Sequence, residues 1–131
     1  MKRCLQEKLI KRFKFLRPAK DMDRHAYNLF GIECGDGWFK LLWELCARIE
    51  DEMKREPSKE FMVAQIKEKF AGLRFYVYGV NDKIRELIDG AENKSLKICE
   101  ECGKKGKIVK IRGWFITLCK AHAGKRKEAK E

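Results

Sequence analysis

Nowhere in the 131 residues do apolar side chains run unbroken for anything near the ~20 positions that a membrane-crossing helix needs. The opening stretch, MKRCLQEKLIKRFKFLR, breaks up its apolar residues with charges and so lacks the continuous core of a secretory signal. A cytoplasmic location without a membrane partner is the expectation. Histidine is scarce: His25 and His122 are the only two. A zinc-stapled hairpin nuclease needs catalytic histidines besides its structural ligand, and between Trp114 and Glu131 only His122 occurs. The acidic neighbours Glu50 and Asp51 have neither a histidine nor a glycine-rich loop nearby in the chain. A protein without catalytic activity is therefore expected. The two prolines, Pro18 and Pro57, each stop a helical pattern.

Acidic side chains are what the two ends lack. Residues 1–20 carry eight Lys/Arg and one Glu, and residues 97–131 carry eleven basic and four acidic residues, so each end is +7. Residues 21–96, with twelve basic and fifteen acidic residues, are −3, which closes at the net charge of +11. Clustered Lys and Arg gain most from displacing the counterions around phosphates, so a polyanionic partner is one reading; charge that keeps a small protein dispersed is the other.

The six cysteines are expected to be reduced, because disulfide pairing would waste a metal-ligand pattern and nothing else points to export. In CEECGKKGKIVKIRGWFITLCKAH, residues 99–122, the candidate ligands Cys99, Cys102, Cys119 and His122 are spaced C-x2-C, sixteen residues, C-x2-H. Two residues between paired ligands let a knuckle or a first helical turn aim both side chains at one ion. Three thiolates and one imidazole then complete a structural Zn²⁺ tetrahedron and leave no position for water. Gly103 provides a permissive backbone after the first pair. Lys107 to Ile111, Arg112-Gly113 and Trp114 to Leu118 read as arm, turn and arm, followed by a helix that begins at Cys119 and frays after Gly124. Knuckle, hairpin and helix start describe a treble-clef or zinc-ribbon-like module. A redox C-x2-C pair would not explain both pairs at this gap, and an iron–sulfur cluster suits the histidine less well. Of the other cysteines, Cys46 falls beside an apolar helix face. Cys34, next to glycine in FGIECGDGW, could stand open as a nucleophile, with His25 the one unengaged histidine; His25 otherwise reads as a surface or capping residue.

The remaining pattern predicts an α+β fold of helices packed on a β-hairpin. Leu5, Leu9, Phe13 and Leu16 make residues 1–20 a basic amphipathic helix, its apolar stripe on the core. An α+β core spans 21–97, and the zinc module with its basic tail 98–131. Residues 17–37, with Pro18, Gly31, Gly35 and Gly37, read as loop or short turns. Asp36 is placed to cap a long helix whose inner face is Trp38, Leu41, Leu42, Leu45, Ile49 and Met53, with Glu44, Arg48, Glu50, Asp51, Glu52, Lys54 and Arg55 on a solvated outer face. EFMVAQIKEKFAGLRFYVYG, residues 60–79, reads as a hairpin turning at Ala71-Gly72, with Met62, Ala64, Ile66 and Phe70 inward on the first arm and Leu73, Phe75 and Val77 on the second. Its other face interleaves Lys67, Lys69 and Arg74 with Tyr76 and Tyr78; it would either meet single-stranded nucleic acid or lie under another layer. Asp82 is placed to cap a last core helix through Ile84, Leu87, Ile88, Ala91 and Ser95.

GDGWFKLLWELC, QIKEKFAGLRFYVYG and the two ligand pairs together resemble a family of small proteins common in phages and bacterial mobile elements, over about residues 34 to 123. The resemblance implies a phage-encoded protein with a zinc module, and no catalytic residues to carry over. Ala71 departs from the family pattern, where a second glycine is usual.

Two functions fit these observations. The first is binding of nucleic acid or a ribonucleoprotein by Lys104, Lys105, Lys107, Lys110 and Arg112 on the hairpin with Lys125, Arg126 and Lys127 beyond it. The alternative is a phage inhibitor of a host defence effector, anti-CRISPR-like, anchored by Trp114.

Overall fold

Helix α3, Phe39–Arg55, forms where apolar residues recur at helical spacing, and it turns Leu41, Leu42, Leu45, Cys46 and Ile49 inward, all buried. It is the spine of a core described, in this computed structural model, over residues 1–18 and 26–128. His25 lies outside the described residues. Helix α1, Arg3–Arg12, brings Leu9 to that core, and the turn that follows adds Phe13 and Leu16, so the basic N-terminal helix packs its apolar stripe inward. Arg12 grips Glu50 of α3 with two hydrogen bonds of 3.0 and 2.9 Å.

Among the described residues of the stretch expected as loop or short turns, 17–37, lie a short helix and a short strand, α2, Ala26–Phe30, and β1, Ile32–Glu33, and a single helical turn opens at its end, Asp36–Trp38. A strand of two residues is too short for alternation to reveal. Strand β1 runs parallel to β2, Met62–Lys69, through Ile32 opposite Ile66, and β2 pairs antiparallel with β3, Gly72–Tyr78, in the order β1-β2-β3. The Gln6 side chain of α1 accepts the Ile32 N–H at 3.0 Å, closing the β1 edge. Helix α4, Asp82–Ser95, covers the other edge: the N–H groups of Leu73 and Phe75 donate to Ser95 Oγ and Glu92 Oε2, both at 2.9 Å. An open edge would invite pairing with another chain, and these side chains satisfy it. The cap of α4 is Asn81, whose Oδ1 accepts the Ile84 N–H at 2.9 Å, and not Asp82, which sits in the first turn. No helix among the described residues is long and apolar enough to cross a membrane.

The β2–β3 hairpin is present, but its turn is Phe70-Ala71, one residue earlier than expected, with Lys69 opposite Gly72. Both turn residues are left-handed, φ 51° and 72°, as a two-residue hairpin turn of right-handed twist requires. Phe70 therefore leaves the inward row and stands in solvent, while a register shift between Val63 and Gln65 turns Val63 and Ile66 inward. Tyr76 and Tyr78, which another layer could have covered, are exposed.

Cys34 and Glu52 also differ from their expected roles. Cys34 is buried, and desolvation pushes its thiol up to about 12, so it is not an accessible nucleophile. Glu52 is buried rather than on a solvated face; Arg55 Nε and Asn81 Nδ2 donate to its carboxylate at 2.8 and 2.7 Å. The Arg55 bonds lower its pKa from 4.5 to about 2. A depressed carboxylate contributes stability that is present above its unfolded value and lost as pH falls toward the folded one. The melting-temperature advantage of the wild type over Glu52→Gln is thus expected to be full at pH 6 and to shrink between pH 4.5 and 2; a difference that stays constant across that range would rule the linkage out.

Candidate metal centre

After α4 the chain makes a knuckle, Cys99 to Cys102, then the hairpin β4, Lys107–Ile111, and β5, Trp114–Leu118, then helix α5, Lys120–Glu128. The strand bounds and the Arg112-Gly113 turn are those the sequence predicts. The helix does not fray after Gly124 but continues to Glu128, carrying Lys125, Arg126 and Lys127 in its last turn, where cations favour the carbonyl end.

This unit has a small apolar centre of its own, Leu118 and Ala123 with Cys99 and Cys119, flanked by Val109, Ile111 and Ile116. The thiols of Cys99, Cys102 and Cys119 and a nitrogen of His122 all lie within 4.8 Å of one another. Cys102 and Cys119 Sγ are 3.8 Å apart, and His122 Nδ1 is 3.7 Å from Cys99 Sγ and 3.2 Å from Cys119 Sγ. A tetrahedral ion with bonds of about 2.3 Å to sulfur and about 2.1 Å to nitrogen would separate sulfurs by about 3.8 Å and sulfur from nitrogen by about 3.6 Å. The donor set fits such an ion, and four protein ligands would fill it. The backbone N–H of His122 donates to Cys119 Sγ at 3.4 Å and draws that thiol's pKa down. His122 Nε2 faces Glu101 Oε2 at 3.7 Å, and Glu101 Oε1 accepts from Arg126 Nη2 at 2.6 Å, so the ring is flanked by a carboxylate that is itself paired.

The knuckle is seated on residues 35–38, the GDGW stretch. The Gly35 N–H donates to Glu100 Oε2 at 2.9 Å, the Gly37 N–H to the Glu100 carbonyl at 2.7 Å, and Trp38 Nε1 to the Ile98 carbonyl at 2.9 Å. Gly37 allows the approach: a Cβ there would fall 2.1 Å from the Cys99 carbonyl oxygen. Facing it, Gly103 adopts φ 81°. Asp36 does not cap α3; its carboxylate accepts the Lys2 N–H at 2.7 Å and ties α1 to the same corner. A second tether joins the hairpins, Thr117 Oγ1 donating to the Ala71 carbonyl at 2.8 Å, with Thr117 wholly buried.

The basic residues expected to form one cluster do not stay together. Lys105, Lys107 and Lys127 meet Lys120, which the sequence reading missed, around a groove of about 600 Å³ between β4–β5 and α5, floored by Val109, Leu118 and Ala123. Arg112, Trp114 and Arg126 instead line a separate cleft of about 700 Å³ at the hairpin tips, and Lys110 stands beside it over the Phe115 ring at 5.5 Å. Lys104 and Lys125 are exposed and line neither. Lys120 was findable, since it follows a ligand at the start of a helix; only folding shows that it faces Lys105 and Lys107. In comparisons with protein-family models, curated proteins and solved structures, nothing matches this chain.

Proposed function

We propose that the protein is a zinc-stabilised, non-catalytic module that binds the phosphate backbone of nucleic acid, in the phage or mobile-element setting its motifs resemble. One observation carries this reading: four lysines, Lys105, Lys107, Lys120 and Lys127, rim a single groove with no acidic side chain among its described lining residues. Four like charges held together repel one another, and a bound polyanion relieves that repulsion while releasing its own counterions. Zinc is the ion that three thiolates and one imidazole select, and a filled tetrahedron would hold the groove walls without activating water. The order of knuckle, hairpin and ligand-bearing helix start is that of a treble clef.

Titration of a labelled oligonucleotide across salt concentrations tests the reading. The four groove lysines alone contribute about −2.8 to the log–log slope on a single strand and about −3.6 on duplex DNA. The double variant Lys107→Ala/Lys120→Ala is expected to flatten the slope by roughly 1.4 to 1.8. An unchanged slope, or no binding to any DNA or RNA at low salt, would reject the lysine groove as the site.

A further inference from the structure

The cleft of about 700 Å³ lies where the tips of the two hairpins meet, on the β2–β3 turn and the β4–β5 turn. Three exposed aromatic residues line it: Trp114 is 78% exposed, Phe70 71% and Phe115 50%. Cations accompany two of them, Lys69 Nζ 5.6 Å from the Phe70 ring centre and Lys110 Nζ 5.5 Å from that of Phe115. The one acidic side chain among the described lining residues, Glu68, is engaged by the Ala71 N–H at 2.9 Å. The backbone around the cleft is also costly. The three non-glycine residues with positive φ among those described, Phe70, Ala71 and Arg112, all belong to these two turns. A bulky aromatic residue rarely holds a left-handed conformation, and one held there in solvent gains nothing from burial in return.

We infer that this cleft receives unpaired nucleobases, stacked on Trp114 and Phe70 while Lys69 and Lys110 meet the flanking phosphates, so that the protein prefers single strands to duplex. The inference rests on the nucleic-acid reading above and adds to the lysine groove a second site with different chemistry. Every base offers a ring face, so stacking on exposed aromatics beside cations takes single strands of any sequence, whereas a duplex keeps its ring faces inside. A protein partner would also bury Trp114, but exposed rings beside cations, with one carboxylate among the described lining residues against Lys69, Arg112 and Arg126, match a polyanion of alternating rings and charges better.

The test compares a twelve-nucleotide oligo-dT, an abasic backbone of the same length and a twelve-base-pair duplex by fluorescence anisotropy, with Trp114→Ala and Phe70→Asn as variants. Both side chains are mostly exposed, and asparagine tolerates the left-handed backbone at position 70, so the fold and its metal content are expected to persist. The wild type should bind oligo-dT at least about tenfold tighter than the abasic strand, and each variant should lose about tenfold on oligo-dT alone, with duplex affinity and salt slope unchanged. Equal affinity for the oligo-dT and abasic strands, or variants that weaken all three probes alike, would overturn the stacking cleft while leaving the lysine groove standing. Failure of all three probes to bind would overturn both.

Discussion

Replacing Gly37 by alanine is expected to destabilise the protein by roughly 3 kcal/mol or more and to weaken metal retention by about 10- to 100-fold, the loss common when support for metal ligands is disturbed. The added methyl would lie 2.1 Å from the Cys99 carbonyl oxygen, 2.6 Å from the Glu100 carbonyl carbon and 2.6 Å from the Gly103 nitrogen. All three are backbone atoms, so no side chain can swing aside. The knuckle must lift, and lifting it stretches the Gly37 N–H bond to Glu100 and the Trp38 bond to Ile98 while displacing Cys99, a candidate ligand. Gly90→Ala is the matched control: it lies within α4 with open space around it, and removing a glycine from a helix interior should stabilise by about 0.5–1 kcal/mol. Urea unfolding of both variants, with metal release to a colorimetric chelator, gives the comparison. A Gly37→Ala protein with wild-type midpoint and metal retention would show that the knuckle is not seated on this corner.

Loss of one thiolate should have the larger effect still, confined to one part of the chain. Cys102→Ser keeps the side chain's size and removes a candidate ligand, and the unit it belongs to has few buried side chains to hold it: Cys99, Thr117, Leu118, Cys119 and Ala123, two of them candidate ligands. Structural zinc contributes about 10–16 kcal/mol of apparent binding free energy in peptides of this kind, far more than so small an apolar centre can supply. The β4–β5 hairpin and α5 are expected to lose hydrogen-exchange protection in Cys102→Ser, and equally in wild type stripped by a chelator, whereas α3 and the β2–β3 hairpin keep theirs. Retained protection over residues 107–128 after the metal has gone would mean that Thr117 and the Trp38 seat suffice to hold the unit.

The elements legible in the sequence were those whose signal is local. The long apolar face of α3, the two hairpins, the burial of Cys46 and the spacing of Cys99, Cys102, Cys119 and His122 each show within one continuous stretch of chain. What stayed hidden depends on contacts between distant segments. Strand β1 exists because Ile32 finds Ile66, and Asp36 leaves its expected cap for an N–H that lies 34 residues away. Glu52 is buried because Arg55 and Asn81 converge on it. Ala71 holds a φ of 72°, a left-handed backbone that glycine would adopt more cheaply and that an alanine does not announce in the sequence. Only the fold separates the basic residues between 104 and 127, sending Lys105, Lys107, Lys120 and Lys127 to one groove and Arg112 and Arg126 to an aromatic cleft.

The most direct measurement is the metal content of freshly purified, untagged protein by elemental analysis. One zinc per chain is expected, falling to none in Cys102→Ser. Wild-type protein that is folded and monomeric but holds no stoichiometric metal would contradict the four-ligand centre, and with it the rigid walls of the lysine groove.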